Sequence, residues 1–393
     1  MNRWLTPLAL LQVLLFVLGC EFEQPAFPRG AYPLLPAPDV EQRVARVACS
    51  VPLEGKRTSL SELMAAHRIP GVSVAAMEGG RIVWARAFGY ADVAKNRPMT
   101  PETILQAASI SKPMTAVAVL RMVQARELSL DADVTDLVDW EPDGRDARIS
   151  LRQILSHTSG LSVHGFKGYK RNKDDLPSAL EVLEGKGNSP KVRLAGPQGQ
   201  YDYSGGGFTL MQALVEDEIE DPFEEAMYDW LIRPFRLTRS TFEQPLTRER
   251  AGWAATAYVD GAPVPFGHHV YPEKAAAGLW TTPTDLLTVA AALVAAYQGA
   301  PGPLSSALVR EMFSPAGPGQ KFGLGFGVRR LGDVVELSHG GVNHGFSASL
   351  VFRTDGYGAA VMVNGNGPVS GAVLASVAEE YGWRGKKPAN ACP

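Results

Sequence analysis

The sequence predicts an α+β fold. The two chain ends build one antiparallel sheet flanked by N- and C-terminal helices, and the middle forms an all-helical lobe. Two observations carry this expectation. Strand-like patterning is confined to the ends: Val72, Val74, Ile82 and Trp84 alternate around Met77-Glu78-Gly79-Gly80 as in a β-hairpin, and residues 334–337, 346–352 and 358–363 are strand-like runs between Gly-rich turns. Residues 130–289, by contrast, show helical stretches and loops with little strand pattern. Elements segregated in this way form separate layers of an α+β domain, and a cleft between two lobes is the default place for chemistry.

Each element has its own local reason. Ser59-Leu60-Ser61-Glu62 is a capping box that opens a short helix, stopped at His67-Arg68-Ile69-Pro70. Residues 112–127 are apolar on most sides (Met114, Val117, Val119, Leu120, Met122, Val123) and predict a buried helix. Pro113 falls in its first turn, where a missing N–H costs nothing. Further helices are predicted over 178–183, 210–219, 222–232 and 285–297, with a closing amphipathic helix over 368–381. No internal repeat is visible.

The 393 residues are 45% hydrophobic and 20% charged, the composition of an ordinary globular chain with a sizeable core. Lys plus Arg number 38 and Asp plus Glu 41, a net charge of -3, with the basic residues scattered. No nucleic-acid partner is expected. Arg3 followed by the short apolar run 5–18, broken by Thr6, Pro7 and Gln12, predicts an export signal over residues 1–20 and not a transmembrane helix. Its end, Val17-Leu18-Gly19-Cys20, resembles the lipobox of bacterial lipoproteins, although Leu18 is bulkier than the usual small residue. Cys20 would then be lipidated and become the new N-terminus; the alternative is a cleaved signal with an incidental cysteine. Residues 21–44, with Pro25, Pro28, Pro33, Pro36 and Pro38, are expected to be a tether, and 45–393 the folded domain. The chain is thus expected to be an exported monomer in the periplasm or cell envelope, meeting the membrane only through a lipid anchor. Export also means an oxidising compartment, where Cys49 and Cys392 either pair as a disulfide or remain unrelated thiols.

Three short motifs carry candidate chemistry. Ser109-Ile110-Ser111-Lys112 is S-x-x-K, which sets a hydroxyl and an amine on one face at the mouth of a helix. A lysine whose pKa is lowered by burial can take the serine proton, and the helix dipole lies near the developing oxyanion. Tyr203, in Tyr201-Asp202-Tyr203-Ser204-Gly205-Gly206-Gly207, stands at the edge of a Gly-rich loop and can act as a general acid or base. In Ser338-His339-Gly340-Gly341-Val342, where a strand is expected to meet a turn, glycines leave backbone N–H groups open to a substrate. Each motif alone is a weak signal, better explained by chance, by an aromatic packed in a loop or by a plain Gly-rich turn.

In this order, Ser109-x-x-Lys112, Tyr203-Ser204-Gly205 and His339-Gly340-Gly341 resemble the three motifs of the serine β-lactamase-related hydrolases, the branch of class C β-lactamases, D-Ala-D-Ala carboxypeptidases and their esterase relatives. The resemblance runs from about Ser59 to Trp383 and implies the β-lactamase/penicillin-binding-protein fold. It further implies that Ser109 forms an acyl-enzyme and that Lys112 and Tyr203 share proton handling, with the base left open. The Ser109 and Val342 N–H groups would form the oxyanion hole beside Gly340 and Gly341, and His339 would orient or protonate near the substrate. Two positions depart from the pattern. Gly205 stands where many relatives carry an asparagine, and His339 where lactamases carry the lysine that holds the β-lactam carboxylate. Both favour an ester or amide substrate, ahead of cell-wall-like D-amino-acid peptides and then β-lactams.

No cofactor or metal is expected. His164, His268, His269 and His344 lack ligand spacing and are explained as surface or loop histidines, while His157 is expected to tie a loop backbone. Trp253 and Trp280 are expected to pack the lobes. Only near misses of G-x-S-x-G occur, at Ser73 and Ser347. The alternative of another class is a membrane-tethered binding or sensing module on a retired hydrolase fold; its signature would be loss of Ser109, Lys112 or Tyr203, and all three are present.

Overall fold

Apolar runs from both ends of the chain pair into one seven-stranded antiparallel sheet in the computed structural model, which describes residues 37–142, 148–317 and 319–383. Its strands are β1 (Gly71–Glu78), β2 (Arg81–Asp92), the short β3 (Arg97–Pro98), β4 (Gly327–Leu331), β5 (Val334–Asn343), β6 (Phe346–Arg353) and β7 (Gly358–Val363). Five longer helices pack around it: α1 (Ala37–Cys49), α2 (Ser111–Ala125), α3 (Gly205–Ile219), α4 (Pro283–Tyr297) and α5 (Val369–Glu380). The strand order is β4-β5-β6-β7-β1-β2-β3, so β7 against β1 joins the chain ends, with Val363 opposite Val72 and Gly358 opposite Met77.

Successive strand side chains point to opposite faces, and this sorts β1 and β7 into two cores. Val72, Val74, Ala76, Val361 and Val363 join the outer helices α1 and α5, while Ala75, Met77, Ala360 and Met362 join the core of the helical lobe with α2 and α4. Covered on both faces, β1 is buried through Met77 and reads as a continuous apolar run. A β-bulge at Ala76/Met77 refines the hairpin: Trp84 lies opposite Ala76 but Ile82 opposite Met77. The extra residue sends Ile82 into the helical-lobe core and Trp84 to the other face, where its indole N–H donates to the Tyr381 hydroxyl at 2.9 Å.

The structure departs from the sequence expectation at three places. Residues 338–343 do not leave the sheet for a turn: β5 continues to Asn343, with His339 opposite Leu350 and Gly341 opposite Ala348. Ladder hydrogen bonds need no side chain, so glycines do not end the strand. Helix α3 begins at Gly205 and not near residue 210, because Ser204 caps it by accepting the Gly207 N–H at 2.9 Å. The three glycines therefore form a first helical turn where the sequence suggested a loop. Lastly, residues 37–44 of the expected tether belong to α1. Val40, Val44 and Val47, spaced for one helical face, are buried in the outer core, and Arg46 pairs with Glu380 of α5 at 2.7 Å. Pro38 misled the sequence reading because proline is tolerated in a first turn.

Cys49 ends α1 and is disulfide-bonded. Cys392, like Cys20, the export segment 1–20 and residues 21–36, lies outside the described residues. Among the described residues no helix is long and apolar enough to cross a membrane.

Docking of α1 has a measurable consequence. Val44→Asp would bury a carboxylate in the outer core and should lower unfolding free energy by about 3 kcal/mol. The exposed Glu41→Gln should stay within about 0.5 kcal/mol. Urea unfolding reads both, and equal midpoints would mean that α1 is not part of the body.

Candidate active site

Ser109 sits on a tight elbow between a short strand and α2. Leu105–Gln106 pairs antiparallel with Trp280–Thr281, and Ala107 N–H continues the ladder to Leu279 O at 2.9 Å. Ala108 then takes φ +50°, a left-handed conformation unusual for a residue with a Cβ, and one 3₁₀ turn leads into α2. Ser111 holds this bend. Its buried hydroxyl donates to Ala108 O at 2.6 Å and accepts the Leu279 N–H at 2.9 Å.

Lys112, one turn on, is almost wholly buried. Its Nζ donates to Ser109 Oγ at 3.2 Å and to Ala276 O, on the short helix Lys274–Ala277, at 2.9 Å. Neither partner is a carboxylate, and burial pushes the amine down to about 7. Tyr203 completes the arrangement. Its hydroxyl faces Ser109 closely enough to interact with it, and its ring lies 5.0 Å from Lys112 Nζ. The ring is held between His157, at 4.2 Å between centroids, and His164, at 4.7 Å. Burial raises the phenol well above its ordinary pKa, so Tyr203 is protonated when Lys112 is half neutral.

The third motif arrives from the other end of the chain. Strand β5 passes so close to the elbow that a Cβ at Gly341 would lie 2.2 Å from Ala107 O and 3.0 Å from Ser109 N. Only glycine permits this approach, which brings the backbone carrying Val342 beside that of Ser109. Val342 itself is 69% exposed at the cleft mouth. His339 is partly exposed, and its Nδ1 donates to Gly340 O at 2.7 Å, which leaves Nε2 as an acceptor. Desolvation and nearby Lys112 hold this imidazole below its ordinary pKa, hence neutral.

Ser109, Lys112, Tyr203, His339, Gly340, Gly341 and Val342 therefore line one cleft of about 1050 Å³. Gly205, read from the sequence as a substrate-binding position, does not line it. A Cβ there would lie 2.9 Å from the Phe166 ring and 3.0 Å from His164 O, and Gly206 packs as tightly on Ser162 O. The glycine run makes room for segment 162–166, which crosses the first turn of α3. Any side chain at 205 would have to displace the Phe166 ring and press on the His164 carbonyl.

His157 ties a backbone, as its sequence context suggested. Its Nδ1 accepts the Ser204 N–H at 3.1 Å and its carbonyl accepts the Asp202 N–H at 2.8 Å, which places Tyr203 between two fixed points. Trp280 is fully buried packing, and Trp253 lies under the Arg239 guanidinium, 4.4 Å from its ring centre. Sequence reasoning did not single out Ser111, Ala276, Phe166 or the ring contact of His164. Ser111 lies inside the S-x-x-K motif and was within reach, whereas a carbonyl such as Ala276 O leaves no signal in residue type.

Comparison with known proteins gives a consistent result. The Beta-lactamase family model matches residues 57–381. Mouse mitochondrial serine beta-lactamase-like protein LACTB is 32% identical over 158 residues, 39% of this chain and 28% of that protein. Esterase EstB of Burkholderia gladioli is 39% identical over 106 residues, 26% of this chain and 27% of the esterase. Each match thus spans less than a third of the curated relative. Among solved structures, EstCE1, described as a hydrolase with promiscuous acyltransferase activity, superposes with a TM-score of 0.66 at 22% identity, covering 86% of this chain and 98% of that one. At that identity the likeness establishes the fold.

The crossing at Gly341 is the tightest point of the site. Gly341→Ala should lower kcat/KM by about 10²-fold, because the new methyl must push β5 or the elbow aside by around an ångström. Circular dichroism should show the fold retained, and an unchanged kcat/KM would remove the close crossing from the catalytic geometry. With its fold, its three ordered motifs and a family match from 57 to 381, this chain belongs to the Beta-lactamase family, a family of serine hydrolases.

Proposed function

We propose that the protein is an acyl-transfer serine hydrolase acting on an ester or amide, with Ser109 as nucleophile. The observation that carries this reading is the Lys112 amine, buried without a carboxylate partner and 3.2 Å from Ser109 Oγ. As neutral amine it takes the Ser109 proton while Oγ adds to the substrate carbonyl. The N–H groups of Ser109 and Val342 receive the oxyanion. On collapse, the protonated Tyr203 gives its proton to the leaving oxygen or nitrogen; in deacylation the phenolate takes a proton from water, the hydroxide adds to the acyl carbonyl, and Ser109 Oγ departs with the proton held on Lys112.

Two features favour an ester or amide without charge at the scissile end over a β-lactam. His339 is held neutral, and position 205 carries no side chain, with the Phe166 ring and His164 O packed against it. Similarity to an esterase supports the same direction. We further propose that the chain is exported and anchored through Cys20, which would place this chemistry in the cell envelope, and that one copy suffices for activity.

A small chromogenic ester and a fluorescent penicillin test the assignment. Ester turnover should vanish in Ser109→Ala and fall by about 10²- to 10⁴-fold in Lys112→Met. Turnover or labelling that survives in Ser109→Ala overturns the nucleophile. A native protein inert to both reagents would point to a binding module.

The Lys112 amine also sets a pH dependence. It is active when neutral, so kcat/KM should rise through about pH 7 and level off above it. A profile that falls over this range would reject Lys112 as base.

A further inference from the structure

The catalytic cleft continues past Val342. There Val342 and Asn343 on one wall, and Phe166 and Lys167 on the other, are shared with a second cavity of about 880 Å³. Its rim is basic: Lys167, Lys170 and Lys173 line it, and among the described residues no Asp or Glu does. Asp174 and Asp175 follow in sequence but lie off the lining. The lysines form no ion pair with a described carboxylate, and Lys173 rests 5.4 Å from the Tyr169 ring centre.

The segment that carries them is held in place. Tyr169–Lys170 pairs antiparallel with His269–Val270, Lys167 O accepts from His269 Nδ1 at 3.1 Å, and the Tyr169 hydroxyl accepts the Asn188 N–H at 2.9 Å. Tyr271 is fully buried below, its hydroxyl accepting the His344 N–H at 2.9 Å. In a chain of net charge -3, three lysines on a held segment around one chamber beside Ser109 make a local field of the opposite sign.

We propose that this chamber is an anion-reading subsite, so that the preferred substrate carries a carboxylate or phosphate at a distance from its scissile carbonyl. The proposal rests on Ser109 as nucleophile for its catalytic consequence. It also divides the substrate. The scissile end meets the neutral His339, while the far end meets Lys167, Lys170 and Lys173.

Two series of chromogenic esters test it, one with the distal group on the acyl chain and one with it on the leaving group. Each has a neutral, a carboxylate and a phosphonate member of equal length. In at least one series an anionic member should exceed its neutral counterpart by about tenfold in kcat/KM, mainly through KM, and the two anions compared show which is read. The anionic-to-neutral ratio should fall to near one in the triple variant Lys167→Met/Lys170→Met/Lys173→Met and at 1 M salt, where screening is nearly complete. No anion preference in either series, or one that survives the triple variant, overturns the subsite. If the neutral ester is also untouched, the Ser109 reading fails separately. Calorimetric binding of glutarate and of inorganic phosphate to native and triple-variant protein then decides the subsite without catalysis. Binding lost in the variant supports it, and binding absent or equal in both rejects it.

Discussion

Much of the site depends on an amine with no counter-charge. Lys112 lies in the packed interior with two uncharged oxygens as acceptors, the Ser109 hydroxyl and the Ala276 carbonyl. Bringing a lysine from its ordinary pKa of 10.5 to about 7 corresponds to about 5 kcal/mol of preference for the neutral form. A nearby carboxylate would cancel that preference and leave a permanently charged, chemically idle ammonium. No described carboxylate bonds Lys112, in keeping with an α2 that is buried on nearly every side.

Holding that amine on target requires elements distant in sequence. The helix Lys274–Ala277 presents Ala276 O; it is tied to α2 by Thr115 donating to Ala275 O at 3.3 Å, and the chain just after it by the Leu279 N–H donating to Ser111. Asn343, at the end of β5, donates to Gln106 at 2.8 Å and to Ala277 O at 3.1 Å. Those two bonds clamp strand, elbow and helix into one frame. Glycines serve it in two different ways: Gly341 lets a strand touch the backbone of Ser109, whereas Gly205 and Gly206 let a connecting segment lie on a helix.

Much of this was legible in the sequence, because period and capping are local properties. The capping box at Ser59, the hairpin around Gly79-Gly80 and the apolar α2 follow from neighbours a few residues apart. The three motifs were legible as chemistry, and the structure brings Ser109, Lys112, Tyr203 and His339 to one cleft. What failed turned on glycine and proline. Gly205–Gly207 form a helical turn because Ser204 caps it, Pro38 is tolerated in the first turn of α1, and only Gly340 and Gly341 as strand are decided by a distant neighbour, β6. Backbone acceptors such as Ala276 O, and the bulge that parts Ile82 from Trp84, depend on tertiary placement that no residue type encodes.

The crossing of β5 over the elbow also sets an order in time. Ser109, Lys112 and Tyr203 all lie in the first 203 residues, but the backbone that completes their site belongs to residues 334–343, and that strand is seated by β6 and β7 behind it. A growing polypeptide thus carries Ser109 for more than a hundred residues before the strand that crosses its elbow exists. The cleft is complete only when the last strands close onto the first.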